Sequence, residues 1–283
     1  MTPESERFWP IFLEVYTALP RQGPGNRAAA ERALELLGLL SPLQRVLDLG
    51  CGVGAQTLYL SELLGIAPTQ HASPASSQKQ QGQTPALPSI LAVDLYLENI
   101  ERLQAAIEQR GLQSRVKAQV GDMSALELSP ESFDLLWSEG ALYSIGLAPA
   151  LETCFELLRP GGALVFTDAV WRKPEPPEAV RASFDFDYPT MGTVQDDLRL
   201  IEEAGFELVG HFTLPDEAWW EDFYTPMEAR VAVLRQKYVD DPEALEILAQ
   251  VQAEVDMHRA YSEYYAYEYF IAIKPDGAKL RVG

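Results

Sequence analysis

The chain has 283 residues, of which 47% are hydrophobic, and this is enough for one large α/β domain over residues 1–283. Its formal net charge of -20 repels phosphate backbones, which argues against DNA or RNA as a substrate. No apolar run reaches the roughly 18 residues of a membrane span, and residues 1–7 do not resemble a secretory signal. Cys51 and Cys154 are typical of reduced thiols in a cytoplasmic protein, and the scattered histidines indicate no metal site.

The N-terminal region 1–26 predicts a lid helix followed by a turn. Residues 5–18 carry apolar side chains at helical spacing, and a stretch rich in glycine and proline follows them. This helix could close over a site or simply pack against the domain. Asn26 is placed to cap a second helix over residues 27–37, which Gly38 would end.

A glycine-rich turn follows the first predicted strand, residues 45–49, and leads into a helix over residues 55–64. Such a turn lets a ligand approach bare backbone at the N-terminus of a helix, although a tight turn without any ligand is also compatible with it. The dinucleotide pattern G-x-G-x-x-G/A is met only loosely, by Gly50, Gly52 and Ala55. The pattern D-x-G-x-G-x-G is met in full, by Asp48, Gly50, Gly52 and Gly54.

Residues 67–88 interrupt the pattern of helices and strands. They are rich in proline, serine and glutamine and hold few apolar side chains. Such a segment cannot bury enough surface to order itself, so it predicts a flexible insertion before the second strand. A functional role for His71 within it is not expected.

Strands and helices alternate through the middle of the chain. Strands are predicted over residues 90–94, 116–120, 133–137, 163–167 and 206–214, and helices over residues 97–110, 148–158 and 194–204. This alternation predicts parallel pairing in a doubly wound sheet, in which ligands bind at the carboxyl ends of the strands. Five acids fall at predicted strand ends: Asp48, Asp94, Asp122, Glu139 and Asp168. Their placement indicates a site along this edge.

Residues 215–262 predict a helical cap inserted before the last strand, residues 264–273. Near its start the cap carries the aromatic residues Trp219, Trp220, Phe223 and Tyr224. They could bind an apolar or cationic substrate, or form the core of the cap itself. Asp241 followed by proline predicts the start of its last helix.

Together these features resemble the class I S-adenosylmethionine-dependent methyltransferases over nearly the full chain. The resemblance rests on the glycine loop, the acid after the second strand, Gly121-Asp122-Met123, Phe133-Asp134 and the turn Leu158-Arg159-Pro160-Gly161-Gly162. Two further stretches are similar to uncharacterised bacterial enzymes in the small-molecule branch that includes the quinone-biosynthesis C-methyltransferases: Trp137–Ala141 and Gln22–Gly25. The resemblance implies a Rossmann-like, doubly wound, seven-stranded, mostly parallel sheet with helical cap elements and an antiparallel last strand. It also implies in-line methyl transfer to a small molecule.

The resemblance further implies which residues bind S-adenosylmethionine. They are Asp48, Gly50, Gly52, Gly54, Asp94, Leu95, Asp122, Met123 and Glu139. The glycines would let the methionine part lie against backbone, and Asp48 would attract its ammonium group directly or through water. Asp94 would accept hydrogen bonds from both ribose hydroxyls. Asp122 would accept one from the adenine amine, and Met123 would pack on the ring.

A general base is needed only if the acceptor loses a proton. The predicted candidates are Glu139 first, then Tyr143 and Asp168, with His211 less favoured; each could instead be structural. Two alternatives stay open at this point: an NAD-dependent oxidoreductase on the same fold, and a catalytically inactive cofactor-binding regulatory protein. The sequence does not identify the acceptor or the atom that is methylated, and it allows an oligomer.

Overall fold

The computed structural model describes residues 6–38, 43–66 and 88–277, and its framework is one seven-stranded sheet. The strands are β1 Arg45–Leu49, β2 Ser89–Asp94, β3 Val116–Val120, β4 Phe133–Glu139, β5 Leu158–Trp171, β6 Glu207–Thr213 and β7 Tyr265–Ile273. The central strands are buried along nearly their whole length, as is typical of a sheet covered on both faces. Their order across the sheet is β3-β2-β1-β4-β5-β7-β6.

Strands β1 to β5 pair in parallel, and β7 runs antiparallel between β5 and β6. Because the order reverses between β1 and β4, the carboxyl ends of these two central strands flank a crevice, where ligands of doubly wound sheets bind. The predicted doubly wound, mostly parallel sheet with an antiparallel last strand is confirmed.

Helices cover both faces of the sheet. They are α1 Phe8–Tyr16, α2 Arg27–Leu37, α3 Ala55–Leu63, α4 Leu97–Gln109, α5 Leu147–Leu157, α6 Glu178–Asp187, α7 Val194–Glu203, α8 Glu217–Trp219, α9 Thr225–Lys237 and α10 Pro242–Tyr261, with a 3-10 turn at Leu142–Ile145 and a π-helical turn at Trp220–Tyr224. Helices α2, α3 and α4 bury their apolar sides in a core on one face, whereas α5 and α7 pack on the other. Helix α1 contacts α9 and α10, so the N-terminus joins the cap.

Local capping signals in the sequence correctly predicted where several helices begin and end. Asn26 accepts a hydrogen bond from the backbone of Ala29, and Asp241 accepts one from the backbone of Ala244. Thr193 forms a capping box at the start of α7. Gly38 ends α2 in the left-handed conformation, with a φ of 57°.

Strand β5 differs from its prediction. It runs from Leu158 to Trp171, whereas residues 163–167 were predicted. Its C-terminal extension arises because β7 pairs with it along nine positions up to Trp171 opposite Tyr265, and at its start Leu158 pairs with Phe133 of β4. Asp168 therefore lies inside the strand, opposite Glu268, and the prediction that it stands at a strand end is wrong. The predicted insertion at residues 67–88 falls almost entirely outside the described residues.

Candidate active site

The glycine loop after β1 lines the floor of a large cavity at the carboxyl edge of the sheet. Gly50, Gly52 and Gly54 have φ values of 68°, 52° and 90°, a region that side chains rarely adopt. A Cβ on Gly52 would stand 2.7 Å from Oε1 of Gln22, and one on Gly54 would stand 2.2 Å from Cδ1 of Leu103. Gly50 and Gly52 line the cavity, whereas Gly54 permits close packing of α4 against the loop.

Asp48 is fully buried and is not among the residues that line this cavity. Its carboxylate accepts hydrogen bonds from Oγ1 of Thr57 at 2.5 Å and from Nε2 of Gln56 at 3.5 Å. Burial raises the pKa of Asp48 to about 7, although the Thr57 hydroxyl works against that rise. Gln56 lines the cavity, so Asp48 acts on the site through the Gln56 side chain and is not itself exposed to the cavity.

Asp94, at the end of β2, lines the cavity and is held from two sides. Its Oδ2 accepts from the backbone N–H of Gly52 at 2.8 Å, and its Oδ1 accepts from Nδ2 of Asn99 at 2.9 Å and from the backbone N–H of Tyr96 at 3.0 Å. Asn99 in turn accepts from Nε2 of Gln22 at 2.8 Å. Sequence reasoning did not find Asn99 or Gln22 as site residues, although Gln22 stands in the glycine-proline turn that it singled out.

The segments after β2 and β3 bring three further predicted residues to the same cavity: Leu95 after β2, and Asp122 and Met123 after β3. Asp122 is exposed, and its Oδ1 accepts from the backbone N–H and the hydroxyl of Ser124 at 2.8 and 2.6 Å, which lowers its pKa. Leu95 is 58% exposed, and Cε of Met123 would be 3.3 Å from a Cβ on Gly50. These side chains form one wall beside the glycine loop.

Glu139 forms a buried salt bridge that the sequence did not predict. Its Oε2 accepts from Nη2 of Arg21 at 2.5 Å, and its Oε1 accepts from Nε1 of Trp137 at 2.6 Å. The side chains of Arg21 and Glu139 are 4% and 1% exposed, yet both line the cavity. Since both oxygens are engaged, the geometry favours an anchoring role for Glu139 over that of a free base. The second amino group of Arg21, Nη1, is buried and has no hydrogen-bond partner among the described residues.

The other two predicted bases also lie in unfavourable surroundings. Burial, followed by the charges of Asp187 and Glu254, raises the pKa of Tyr143 to about 12, so its hydroxyl donates hydrogen bonds at neutral pH. Tyr143 lines the cavity, but Asp168 does not. Asp168 is fully buried and accepts a hydrogen bond from the hydroxyl of Tyr188 at 2.6 Å. The structure therefore separates Asp168 from the other predicted site residues.

The cavity extends from the glycine loop into a chamber under the cap, with a total volume of about 1410 Å³. Helices α1, α6 and α10 and the π-helical turn contribute to its walls. Trp219, Phe223 and Tyr224, which the sequence placed in the cap, are buried and face it. Helix α6 was not predicted, because it buries little apolar surface. Among its described side chains, Val180 alone is completely buried.

Comparison with known proteins identifies this arrangement. A family model described as a methyltransferase domain matches residues 40–230, which span the sheet from β1 to β6, the glycine loop and the start of the cap. The chain belongs to this methyltransferase family. Its cofactor is S-adenosylmethionine and its acceptors are small molecules, as the resemblance implied, and the oxidoreductase alternative is set aside.

Relatives of the methyltransferase cover it to different extents. The uncharacterized methyltransferase YodH of Bacillus subtilis is 25% identical over 252 residues, which are 89% of this chain and 93% of YodH. Phosphoethanolamine N-methyltransferase 1 of Arabidopsis thaliana is 27% identical over 59% of this chain but only 29% of its own. Among solved structures, the S-adenosylmethionine-dependent methyltransferase of Geobacter sulfurreducens in complex with S-adenosyl-L-homocysteine has a TM-score of 0.72, at 20% identity over 94% of this chain and 98% of that one.

Two further features of the methyltransferase concern metals and membranes. Within residues 6–38, 43–66 and 88–277, no group of three or more His, Cys, Asp or Glu side chains is placed to hold a metal ion. None of the helices in the described part of the chain is long and apolar enough to cross a membrane.

Proposed function

We propose that S-adenosylmethionine binds over Gly50 and Gly52 and that Asp94 holds its ribose. The carboxylate of Asp94 is fixed by Gly52, Tyr96 and Asn99, and its Oδ2, which accepts from Gly52, keeps a lone pair for a ribose hydroxyl. The loop is a cradle that a side chain would fill, since a Cβ on Gly50 would lie 2.2 Å from the Cβ of Ala141. These features match the polar ribose and the close backbone approach that the cofactor requires.

The remaining contacts fit the other parts of the cofactor. Nη1 of Arg21 is a buried donor without a partner at the cavity wall, and a carboxylate such as that of methionine would satisfy it. Gln56, supported by Asp48, is positioned near the glycine loop for the ammonium group. Oδ2 of Asp122 makes no hydrogen bond that competes with the adenine amine, and Met123 offers an apolar surface for the ring. The convergence of Asp94, the glycine loop and the unpaired Nη1 carries the proposal.

S-adenosylmethionine supplies an activated methyl group on a sulfonium, so the protein contributes positioning and the exclusion of water. We place the acceptor in the chamber under the cap, beyond Tyr143. The buried aromatic walls exclude water, and correct orientation can be worth about 7–11 kcal/mol of the barrier. The Tyr143 hydroxyl would orient the acceptor by donating a hydrogen bond, because its pKa of about 12 keeps it protonated.

The substrate named for the Arabidopsis relative does not suit this chamber. A phosphate group needs cationic partners. Arg21 is the one cationic side chain in the described lining of the cavity, and it is paired with Glu139. The shared domain therefore supports the same cofactor but a different acceptor.

Calorimetric titration with S-adenosylhomocysteine tests the cofactor contacts. Asp94→Ala should weaken binding by about 10- to 150-fold, because it removes a hydrogen bond between a ribose hydroxyl and a charged group. Asp122→Ala should weaken it by about 3- to 30-fold, since that side chain is exposed. As a matched control, Asp276→Ala changes an acid outside the cavity lining and should leave binding unchanged. Wild-type affinity in a folded Asp94→Ala variant would contradict the proposed site.

A further inference from the structure

The chamber under the cap is lined mainly by aromatic side chains and by acidic or uncharged polar ones. Aromatic rings form much of its wall, among them Tyr16, Tyr143, Tyr188, Trp219, Tyr224 and Tyr267. The faces of such rings are electron-rich and attract cations. Polar groups without a positive charge accompany them, so the walls offer negative potential from several directions.

Glu254 on α10 is the central polar group of this chamber. Its Oε2 accepts from the hydroxyl of Tyr16 at 2.6 Å, and its Oε1 accepts from the hydroxyl of Tyr224 at 3.3 Å. Both partners are neutral, and no basic side chain among the described residues forms a salt bridge with Glu254. Glu139, by contrast, has Arg21 as its counter-ion. These neutral partners orient Glu254, whereas burial raises its pKa, so a cationic ligand would be needed to keep it as a carboxylate.

A second observation points to a ligand at the same place. Gln250 lines the chamber one turn before Glu254 on α10, and its buried Oε1 has no hydrogen-bond partner in the described part of the chain. Unsatisfied buried acceptors are rare because they cost desolvation energy. Asp187 at the end of α6 adds another carboxylate to the lining. The described polar groups that lack a full set of partners on this side of the cavity are thus hydrogen-bond acceptors, which a hydrogen-bond donor or a positive charge would satisfy.

We propose that the methyl acceptor is an amine with an apolar body, which is a cation in solution and whose nitrogen lies against Glu254 and the surrounding rings. The Glu254 carboxylate would take a proton from the ammonium group, and the freed lone pair would form the new C–N bond as the C–S bond of the sulfonium breaks and S-adenosylhomocysteine leaves. This inference rests on the proposed function, because it assumes that the chamber holds the acceptor. The carboxylate compensates the charge that binding removes from water, and the rings add cation–π attraction. Acceptors with carboxylate or phosphate groups are disfavoured, because they would face Glu254 and Asp187 without a free cationic partner in the described lining.

The test compares matched probes on protein saturated with S-adenosylhomocysteine, by calorimetry. Phenethylamine, tyramine and benzyltrimethylammonium are the cationic probes, 2-phenylethanol is the neutral one, and 3-phenylpropionate is the anionic one. We expect the best cation to bind at least about tenfold more tightly than the alcohol, and the anion not to bind. Glu254→Gln keeps the size and can still accept from the Tyr16 hydroxyl, while the Tyr224 hydroxyl would turn to accept from the new amide. It removes the charge, so it should abolish that preference.

Two controls distinguish a failure of the cationic acceptor from a failure of the proposed function. Glu246→Gln makes the same change at an exposed carboxylate of the same helix that does not line the cavity, and it should leave cation binding within about twofold. Glu254→Gln should leave the affinity for S-adenosylhomocysteine unchanged. Equal binding of the alcohol and the cations, no binding of any cation, or an unaffected Glu254→Gln variant would overturn the cationic acceptor while the cofactor site stands. Failure of wild type to bind S-adenosylhomocysteine would overturn the proposed function itself.

Discussion

The buried salt bridge between Arg21 and Glu139 joins the N-terminal turn to the end of β4, across 118 residues of chain. Arg21→Met would leave the Glu139 carboxylate, whose side chain is 1% exposed, without a counter-ion. Removing one partner of such a pair costs about 3–5 kcal/mol of unfolding free energy, because the remaining charge is buried and uncompensated. Glu139→Gln should cost a similar amount, since it leaves the guanidinium unpaired.

A double-mutant cycle measured by urea denaturation gives the interaction directly. The double variant Arg21→Met/Glu139→Gln should be more stable than the sum of the single changes predicts, by about 2–3 kcal/mol. The control is Arg199→Met, which breaks a surface pair with Asp196 whose side chains are 63% and 44% exposed, and it should cost at most about 1 kcal/mol. An interaction free energy below about 0.5 kcal/mol for the buried pair would refute this reasoning.

Two more predictions concern the glycine loop and the strand before it. Gly54→Ala should lower the unfolding free energy by about 2–4 kcal/mol, because the φ of Gly54 is 90° and the new Cβ would stand 2.2 Å from Leu103. The control is Gly210→Ala, which has open space around it and should change the unfolding free energy by less than about 0.5 kcal/mol. Equal costs in urea denaturation would contradict the packing role of Gly54. The pKa of Asp48 in the folded state, about 7, lies above its value of about 4 in the unfolded chain. Its protonated form therefore stabilises the fold fully below pH 4, and this contribution to the unfolding free energy is lost as the pH rises through 7. Asp48→Asn should therefore reduce the fall in melting temperature between pH 5 and 8, and an unchanged pH profile would show that Asp48 is ionised throughout.

Features governed by neighbouring residues could be predicted from the sequence. The glycine loop, the caps at Asn26 and Asp241, and the position of Asp94 at the end of β2 all follow from spacing and turn chemistry, and all appear in the structure. Parallel pairing then brings the ends of β1, β2 and β4 together, which explains why Asp94 and Glu139 share one cavity.

Features governed by distant contacts could not be predicted. Arg21 and Gln22 reach partners 118 and 77 residues away, and Tyr16 reaches Glu254 across 238 residues, without any local pattern that marks them. The length of β5 depends on pairing with β7, so Asp168 was assigned to an edge that it does not occupy. Glu139 was favoured as a base because the sequence does not show that Arg21 is its partner.

The most direct test of the central claim is calorimetric titration of the wild-type protein with S-adenosylhomocysteine and, separately, with NAD. We predict one site per chain for S-adenosylhomocysteine and no heat of binding for NAD, since the cavity combines the glycine loop, Asp94 and an unpaired buried donor on Arg21. Binding of NAD, or absence of S-adenosylhomocysteine binding by the folded protein, would contradict the account.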